Sequence, residues 1–130
     1  MAGAATLKTY LKVTGLGNEI NEYNSFTDTV PVEYIKGYTV IGTTHQLLDL
    51  GDIAAAKETT LYIKAVVGTI YLLLSTAAAV ALTTANADIV LATGESAIIP
   101  LNPDNSTSTR IVVDGSAETS AISYVLLGSA

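Results

Sequence analysis

The chain has 130 residues and no cysteine, and its 6 basic and 12 acidic side chains give a net charge of −6 at neutral pH. This length corresponds to about one domain, and the lack of cysteine excludes disulfides, thiolate metal sites and thiol catalysis. The excess of acidic residues argues against a partner held through its phosphates, because such binding depends on Lys and Arg.

The charge is sparse as well as negative. Charged residues make up 14% of the chain, well below the roughly 25% of an ordinary globular protein. Hydroxyl side chains supply polarity instead, since there are 18 Thr and 9 Ser. The charged residues of the second half, 65–130, are Asp88, Glu95, Asp104, Arg110, Asp114 and Glu118. Because soluble monomers usually carry more surface charge, this half of the chain predicts self-association.

The N-terminal segment predicts one strand followed by a polar loop. Residues 1–5 lack the basic and apolar regions of a signal peptide. Residues 6–14 alternate imperfectly between apolar and polar side chains, which is typical of a half-buried strand. Gly15 and Gly17 end this strand. Residues 18–31 are rich in Asn and Ser, which weaken a helix, so we expect an ordered loop with at most one helical turn.

From Pro31 onward, β-branched residues and tyrosines indicate short strands. The first candidates flank a break at Gly37, and residues 44–50 alternate like a strand that ends at Gly51-Asp52. Residues 53–57 are expected to form a short helical or looped crossing. The other strand candidates are residues 59–67, 69–75, 78–83, 88–92, 96–101, 109–114 and 121–127.

The spacing of these strands predicts the fold class. Turn residues recur too often in the second half to leave room for long helices. We therefore expect an all-β protein, an antiparallel, jelly-roll-like β-sandwich of about nine short strands. Residues 32–130 would form this single sandwich domain, and residues 1–31 would supply an N-terminal strand and a polar arm.

One segment also permits a membrane interpretation. Residues 65–82 contain no charged side chain over a length of 18 residues, which just reaches the length of a membrane-spanning helix. Gly68-Thr69 and Ser75-Thr76 interrupt the segment, and no basic cluster flanks it to orient a helix. We expect two buried strands joined by a turn, and no membrane partner.

The sequence offers no convincing catalytic site. His45 is the only histidine, so a Ser–His–Asp arrangement would have to use it. Asp49 lies four residues further on, and in a strand the two side chains would share a face without touching. Gly94-Glu95-Ser96-Ala97 lacks the second glycine of a nucleophile elbow. We interpret His45 as a surface or sheet-edge residue and expect no enzyme activity.

The sequence evidence for a metal or cofactor site is equally weak. Asp104 lies with Asn102, Asn105 and Ser106 in a polar segment that could hold calcium, but these residues are also ordinary turn formers. The Asn105-Ser106-Thr107 sequon is expected to be idle without a signal peptide. Gly15-Leu16-Gly17 lacks the third glycine of a dinucleotide-binding loop. We therefore predict no cofactor and no metal.

Aromatic residues divide into two groups by their surroundings. The tyrosines of the more polar half are candidates for a contact surface: Tyr10, Tyr23, Tyr34 and Tyr38. Those inside apolar runs are expected in the core with the hydroxyl at its rim: Tyr62, Tyr71 and Tyr124. Ile98 and Val112 are predicted to be core residues as well.

Four short segments form a recognisable succession. They are Leu48-Asp49-Leu50-Gly51-Asp52-Ile53, Thr60-Leu61-Tyr62-Ile63-Lys64, Leu91-Ala92-Thr93-Gly94-Glu95-Ser96 and Ile122-Ser123-Tyr124-Val125-Leu126-Leu127-Gly128. This succession, over about residues 47–128, resembles the small β-sandwich virion proteins of tailed bacteriophages. The resemblance implies a capsid decoration, or cement, protein that binds between shell subunits as a trimer, or a tail or fibre component, without enzyme activity.

The sequence therefore leaves two candidate functions. The first is a structural virion protein, made in the host cytoplasm and located on the capsid surface. It would associate with itself through its weakly charged strands and bind the major capsid protein through its polar N-terminal half, without a nucleic-acid partner. The alternative is a tail or fibre-associated binding module that recognises a glycan or a receptor.

Overall fold

The computed structural model describes residues 3–29, 31–51, 53, 57–76, 80–101 and 110–129, in which every regular element is a β-strand. The strands are β1 (Ala5–Val13), β2 (Ile20–Asp28), β3 (Glu33–Val40), β4 (Gln46–Leu47), β5 (Glu58–Val67), β6 (Ile70–Thr76), β7 (Ile89–Leu91), β8 (Ser96–Pro100), β9 (Arg110–Gly115) and β10 (Ala121–Gly128). Each strand pairing is antiparallel. The predicted all-β fold is confirmed.

Eight of the strands form two four-stranded sheets. Sheet I has the order β3-β10-β5-β8, and sheet II has the order β4-β9-β6-β7. The pairs β3–β10, β4–β9, β5–β8 and β6–β7 are nested along the chain like one long hairpin. The additional pairs β10–β5 and β9–β6 fold that hairpin over into two sheets. This is the jelly-roll arrangement predicted from the strand spacing.

Alternation of side chains places the core between the two sheets. Sheet I contributes Leu61, Ile63, Ile122 and Leu126, and sheet II contributes Ile70, Leu72, Ile111 and Val113. Successive residues of a strand point to opposite faces, so the residues between these positions face outward. The apolar runs of the second half therefore supply a core that excludes water from both inner faces.

Residues 80–82 cover the outward side of sheet II. The backbone N–H of Leu82 donates a 2.9 Å hydrogen bond to Oδ2 of Asp114, and that of Gly115 donates one of 2.8 Å to Oδ1. Leu82 and Asp114 are both buried. Val112 faces the same side of β9 and is fully buried, as predicted. The expected strand over 78–83 is wrong for residues 80–83, because this segment binds Asp114 instead of a neighbouring strand.

The predicted loop over residues 18–31 is also wrong. Strand β2 pairs with β1 along its full length, from Ala5 opposite Asp28 to Val13 opposite Ile20. Gly15 and Gly17 both adopt positive φ in the connection, a conformation that suits glycine. Cross-strand pairing stabilises the strand here and overrides the weak strand propensity of Asn and Ser.

Strand β3 runs through Gly37, where a break was expected. Gly37 lies opposite Tyr124 of β10, and a Cβ atom at this position would lie 3.1 Å from Cε1 of the tyrosine ring. The glycine therefore makes room for an aromatic ring within a continuous strand and does not end one. The strand expected over 44–50 is reduced to Gln46–Leu47, which pairs with β9, and the N–H of Leu48 donates one further hydrogen bond to the carbonyl of Ile111.

The segment 65–82 supplies the end of β5 and all of β6. Gly68, with φ of 75°, turns the chain between the two strands, so the interpretation as strands joined by a turn is confirmed. The described part of the chain includes no helix long and apolar enough to cross a membrane. Residues 54–56 of the crossing predicted over 53–57 lie outside the described residues, as does the polar segment with Asn102, Asp104 and its sequon.

Candidate interaction surface

The β1–β2 hairpin has one apolar face and one polar face. Directly opposite residues of a strand pair share a face, so the register separates the side chains into two sets. One face, which we call the apolar face, carries Leu7, Leu11, Val13, Ile20 and Phe26, with Thr9, Glu22, Asn24 and Asp28 between them. The other, the polar face, carries Lys8, Tyr10, Lys12 and Tyr23. The hairpin pairs with neither sheet of the sandwich. Its two outer edges are therefore not paired with any described strand.

The base of the hairpin faces the sandwich across a groove. Leu7 and Phe26 line a groove of about 480 Å³ together with Thr60, Ile98 and Pro100 of sheet I. Ile98 thus faces outward beneath the hairpin and is half-buried, which corrects its prediction as a core residue. Because the apolar face turns toward sheet I at this point, the polar face of the hairpin points away from the sandwich.

Much of the apolar side-chain surface on this face is open to solvent, even that of Phe26 at the base. Leu11 is 56% exposed, Ile20 44% and Phe26 57%. A two-stranded hairpin is marginally stable in water by itself, and contiguous apolar side chains at a surface mark interaction sites. The hairpin therefore has the properties of an arm that is completed by a partner.

Sheet I presents tyrosines and lysines on its outward face. We call Tyr34, Lys36 and Tyr38 of β3, together with Tyr62 and Lys64 of β5, the tyrosine–lysine face. Cross-strand pairing aligns Lys36, Val125, Tyr62 and Ile98 in one row across the sheet. The outward positions of residues 34–40, 60–64, 96–100 and 121–127 hold no acidic side chain. Tyr62, predicted in the core, lies here with its side chain partly exposed.

These two surfaces concentrate the positive charge of an acidic protein. Together they hold four of the five lysines and five of the seven tyrosines in the chain. An ion pair joins Nζ of Lys12 to Oε1 of Glu19 at 3.7 Å with both side chains about half exposed, and such a pair stabilises little. Tyrosine is enriched in protein interfaces, and clustered charge directs the approach of a complementary partner. The tyrosine–lysine face therefore suits a polar or acidic partner surface, whereas the hairpin balances Lys8 and Lys12 with Glu19, Glu22 and Asp28.

The residues considered for catalysis are not brought together. His45 is half-buried just before β4, and Asp49 lies beyond the other end of that strand. Oδ1 of Asp49 accepts a 2.9 Å hydrogen bond from the N–H of Gly51, which forms a local turn. Glu95 likewise accepts a 2.9 Å bond from the N–H of Ala92 in the turn between β7 and β8. The described residues contain no group of three His, Cys, Asp or Glu suited to a metal ion.

The sandwich also opens into a cleft between the edge strands β3 and β4. Its volume is about 340 Å³, and its polar side chains include Thr39, Gln46, Asp49 and Tyr124. Burial, and secondarily the Asp49 carboxylate, raises the pKa of Tyr124 above its ordinary value of 10.0. The sequence does not indicate this cleft, because its residues come from separate strands and form no motif.

Comparisons with protein-family models, with curated proteins and with solved structures found no match for the chain.

Proposed function

We propose that this chain is a non-enzymatic structural protein of a bacteriophage virion, a capsid decoration protein that binds the outer shell and stabilises it. The β1–β2 hairpin and the tyrosine–lysine face would contact the major capsid protein. The observation that carries the proposal is the hairpin itself, which exposes Leu11, Ile20 and Phe26 on an arm outside the sandwich. The resemblance of residues 47–128 to small virion proteins supports the choice of partner.

The energetics favour attachment by many copies. Burial of a large aliphatic or aromatic side chain stabilises by about 1.5–3 kcal/mol, and these three side chains are roughly half exposed before docking. One hairpin would therefore bind weakly once the entropy of association is counted. A trimer presents three hairpins to adjacent shell subunits, so its attachment benefits from a high effective concentration. The sparse charge of residues 65–130 supports self-association.

The location of the chain in purified virions tests the proposal. Labelling with a specific antibody should mark the capsid, and quantitative mass spectrometry should find many copies in each particle. Sedimentation of the free protein at micromolar concentration should give the mass of a trimer. A few copies confined to the tail would contradict the decoration function and favour the alternative tail or fibre component.

A deletion tests the role of the hairpin. Removal of residues 1–29 should leave the sandwich folded, because β1 and β2 pair only with each other, and should abolish binding to particles stripped of the protein. The substitution Ile20→Ser should weaken binding, whereas Val90→Ser, at a position of similar exposure in β7, should not. Shell binding by the truncated protein with unchanged affinity would exclude the hairpin as the anchor.

A further inference from the structure

The cleft between β3 and β4 has the dimensions and lining of a small-ligand site. Its volume of about 340 Å³ is at the lower end of the range for ligand pockets in proteins, roughly 300–1,000 Å³. Ile41, Leu48 and Val113 contribute an apolar lining. Polar groups from both sheets lie around them. This combination suits a compact ligand with an apolar surface and several hydrogen-bonding groups.

Tyr124 supplies an unused hydrogen-bonding group. The residue is only 5% exposed and lines the cleft, and its hydroxyl lies beside Gly37, where no side chain of the described residues bonds to it. Buried tyrosine hydroxyls usually find a partner. Because its pKa is raised, Tyr124 is protonated at neutral pH. It can therefore donate a hydrogen bond to a ligand in the cleft.

Other hydrogen-bonding side chains line the same cleft. Asp49 uses Oδ1 for the N–H of Gly51, and no hydrogen bond engages its Oδ2 in the described part of the chain. The side chains of Thr39 and Gln46 line the same cleft and are also without hydrogen bonds to described residues. A ligand hydroxyl both donates and accepts, so it could accept from Tyr124 while donating to Asp49.

From this geometry we propose that the cleft binds one ring of a neutral sugar. The hydroxyls of a pyranose would bond to Asp49, Gln46 and Tyr124, and its C–H surface would pack on the apolar lining. Asp49 is the sole charged side chain among the described residues that line the cleft, so it disfavours a sugar that carries a carboxylate. This site is separate from the hairpin arm, and the proposed capsid binding neither requires it nor is tested by it.

An NMR titration of the ¹⁵N-labelled full chain tests the proposal. The probes are the methyl pyranosides of glucose, galactose, mannose and N-acetylglucosamine, with methyl glucuronide as the charged counterpart of the glucoside. At least one neutral glycoside should shift the amide signals of Gly37, Gln46 and Asp49, with a Kd of about 1 mM or lower. The glucuronide should bind at least several-fold more weakly than the glucoside if the glucoside binds.

Three variants complete the experiment. Asp49→Asn and Tyr124→Phe should each weaken binding about tenfold, the effect of losing one good hydrogen bond. Lys64→Ala, on the tyrosine–lysine face, should leave binding unchanged. Melting temperatures verify that each variant is folded, and Gln46→Ala tests the site if either of the first two is not. The proposal is overturned if no neutral glycoside shifts the cleft signals, if folded cleft variants bind like the unmodified protein, or if methyl glucuronide binds as tightly as the glucoside.

Discussion

Tyr10 of β1 lies directly opposite Tyr23 of β2, and each side chain is 61% exposed. A cross-strand aromatic pair stabilises a hairpin by about 0.2–1 kcal/mol. The two rings lie on the polar face, between Lys8 and Lys12, and away from the apolar groove at the base of the hairpin. The pair therefore belongs to the surface of the arm that points away from the sandwich.

Replacement of both tyrosines should separate attachment from folding. We expect Tyr10→Ala with Tyr23→Ala to change the unfolding free energy of the sandwich by less than about 0.5 kcal/mol, the usual range for surface substitutions. Binding to the shell should weaken at least tenfold, because these rings would be lost from the contact. Thermal unfolding and co-sedimentation with stripped particles measure the two effects. Unchanged co-sedimentation would show that the polar face of the hairpin is not part of the contact.

Val112 and Ile98 should respond differently to the same substitution. Val112 is fully buried, so Val112→Asp places an unpaired charge in an apolar site and should abolish soluble folding. Ile98 faces outward beneath the hairpin, so Ile98→Asp should leave the sandwich folded and loosen the base of the arm. Circular dichroism and limited proteolysis near residue 30 distinguish these results. Loss of folding in both variants would contradict the outward position of Ile98.

The raised pKa of Tyr124 predicts a loss of stability at high pH. Below pH 10.0, the ordinary pKa of tyrosine, Tyr124 is protonated in both the folded and the unfolded chain, so its contribution to the unfolding free energy does not change with pH. Above that pH, the unfolded chain releases its proton first, so the unfolding free energy falls until the pH passes the folded-state pKa. Urea unfolding between pH 8 and pH 11 measures this slope. Tyr124→Phe should reduce it, and an equal slope in both proteins would contradict the prediction.

Glu58 is an unfavourable group in the folded chain. It is 4% exposed, and Oε1 has no hydrogen-bond partner among the described residues. Burial of a carboxylate oxygen without a partner costs free energy. Glu58→Gln keeps the shape of the side chain and removes its negative charge, whose burial costs more than that of a neutral amide, so we expect the unfolding free energy to rise by about 1 kcal/mol, measured by urea unfolding at pH 7. The exposed Glu33 offers a control, since Glu33→Gln should have little effect. Destabilisation by Glu58→Gln alone would indicate that the carboxylate has a favourable role.

The sequence by itself determined the strand content and most of the turns. Alternation of apolar and polar residues is a local property, as is the preference of glycine for positive φ at Gly68 and Gly94. These signals located β5 to β10 closely, and a jelly-roll-like sandwich followed from their spacing. The same signals failed at β2, because its Asn and Ser residues have weak strand propensity and the strand is stabilised by its pairing with β1.

Only the tertiary structure decided which faces are buried and which residues meet. A strand sequence does not specify which neighbours cover its two sides, so Tyr62 and Ile98 resemble core residues although they face outward. The sequence suggests a turn at Gly37, whereas in the structure this glycine lies within β3 against the ring of Tyr124. The cleft lined by Asp49 and Tyr124 exists because pairings between distant parts of the chain build each sheet, and the core between sheets I and II then brings β3 and β4 together. Such pairings depend on long-range packing, which no local pattern encodes.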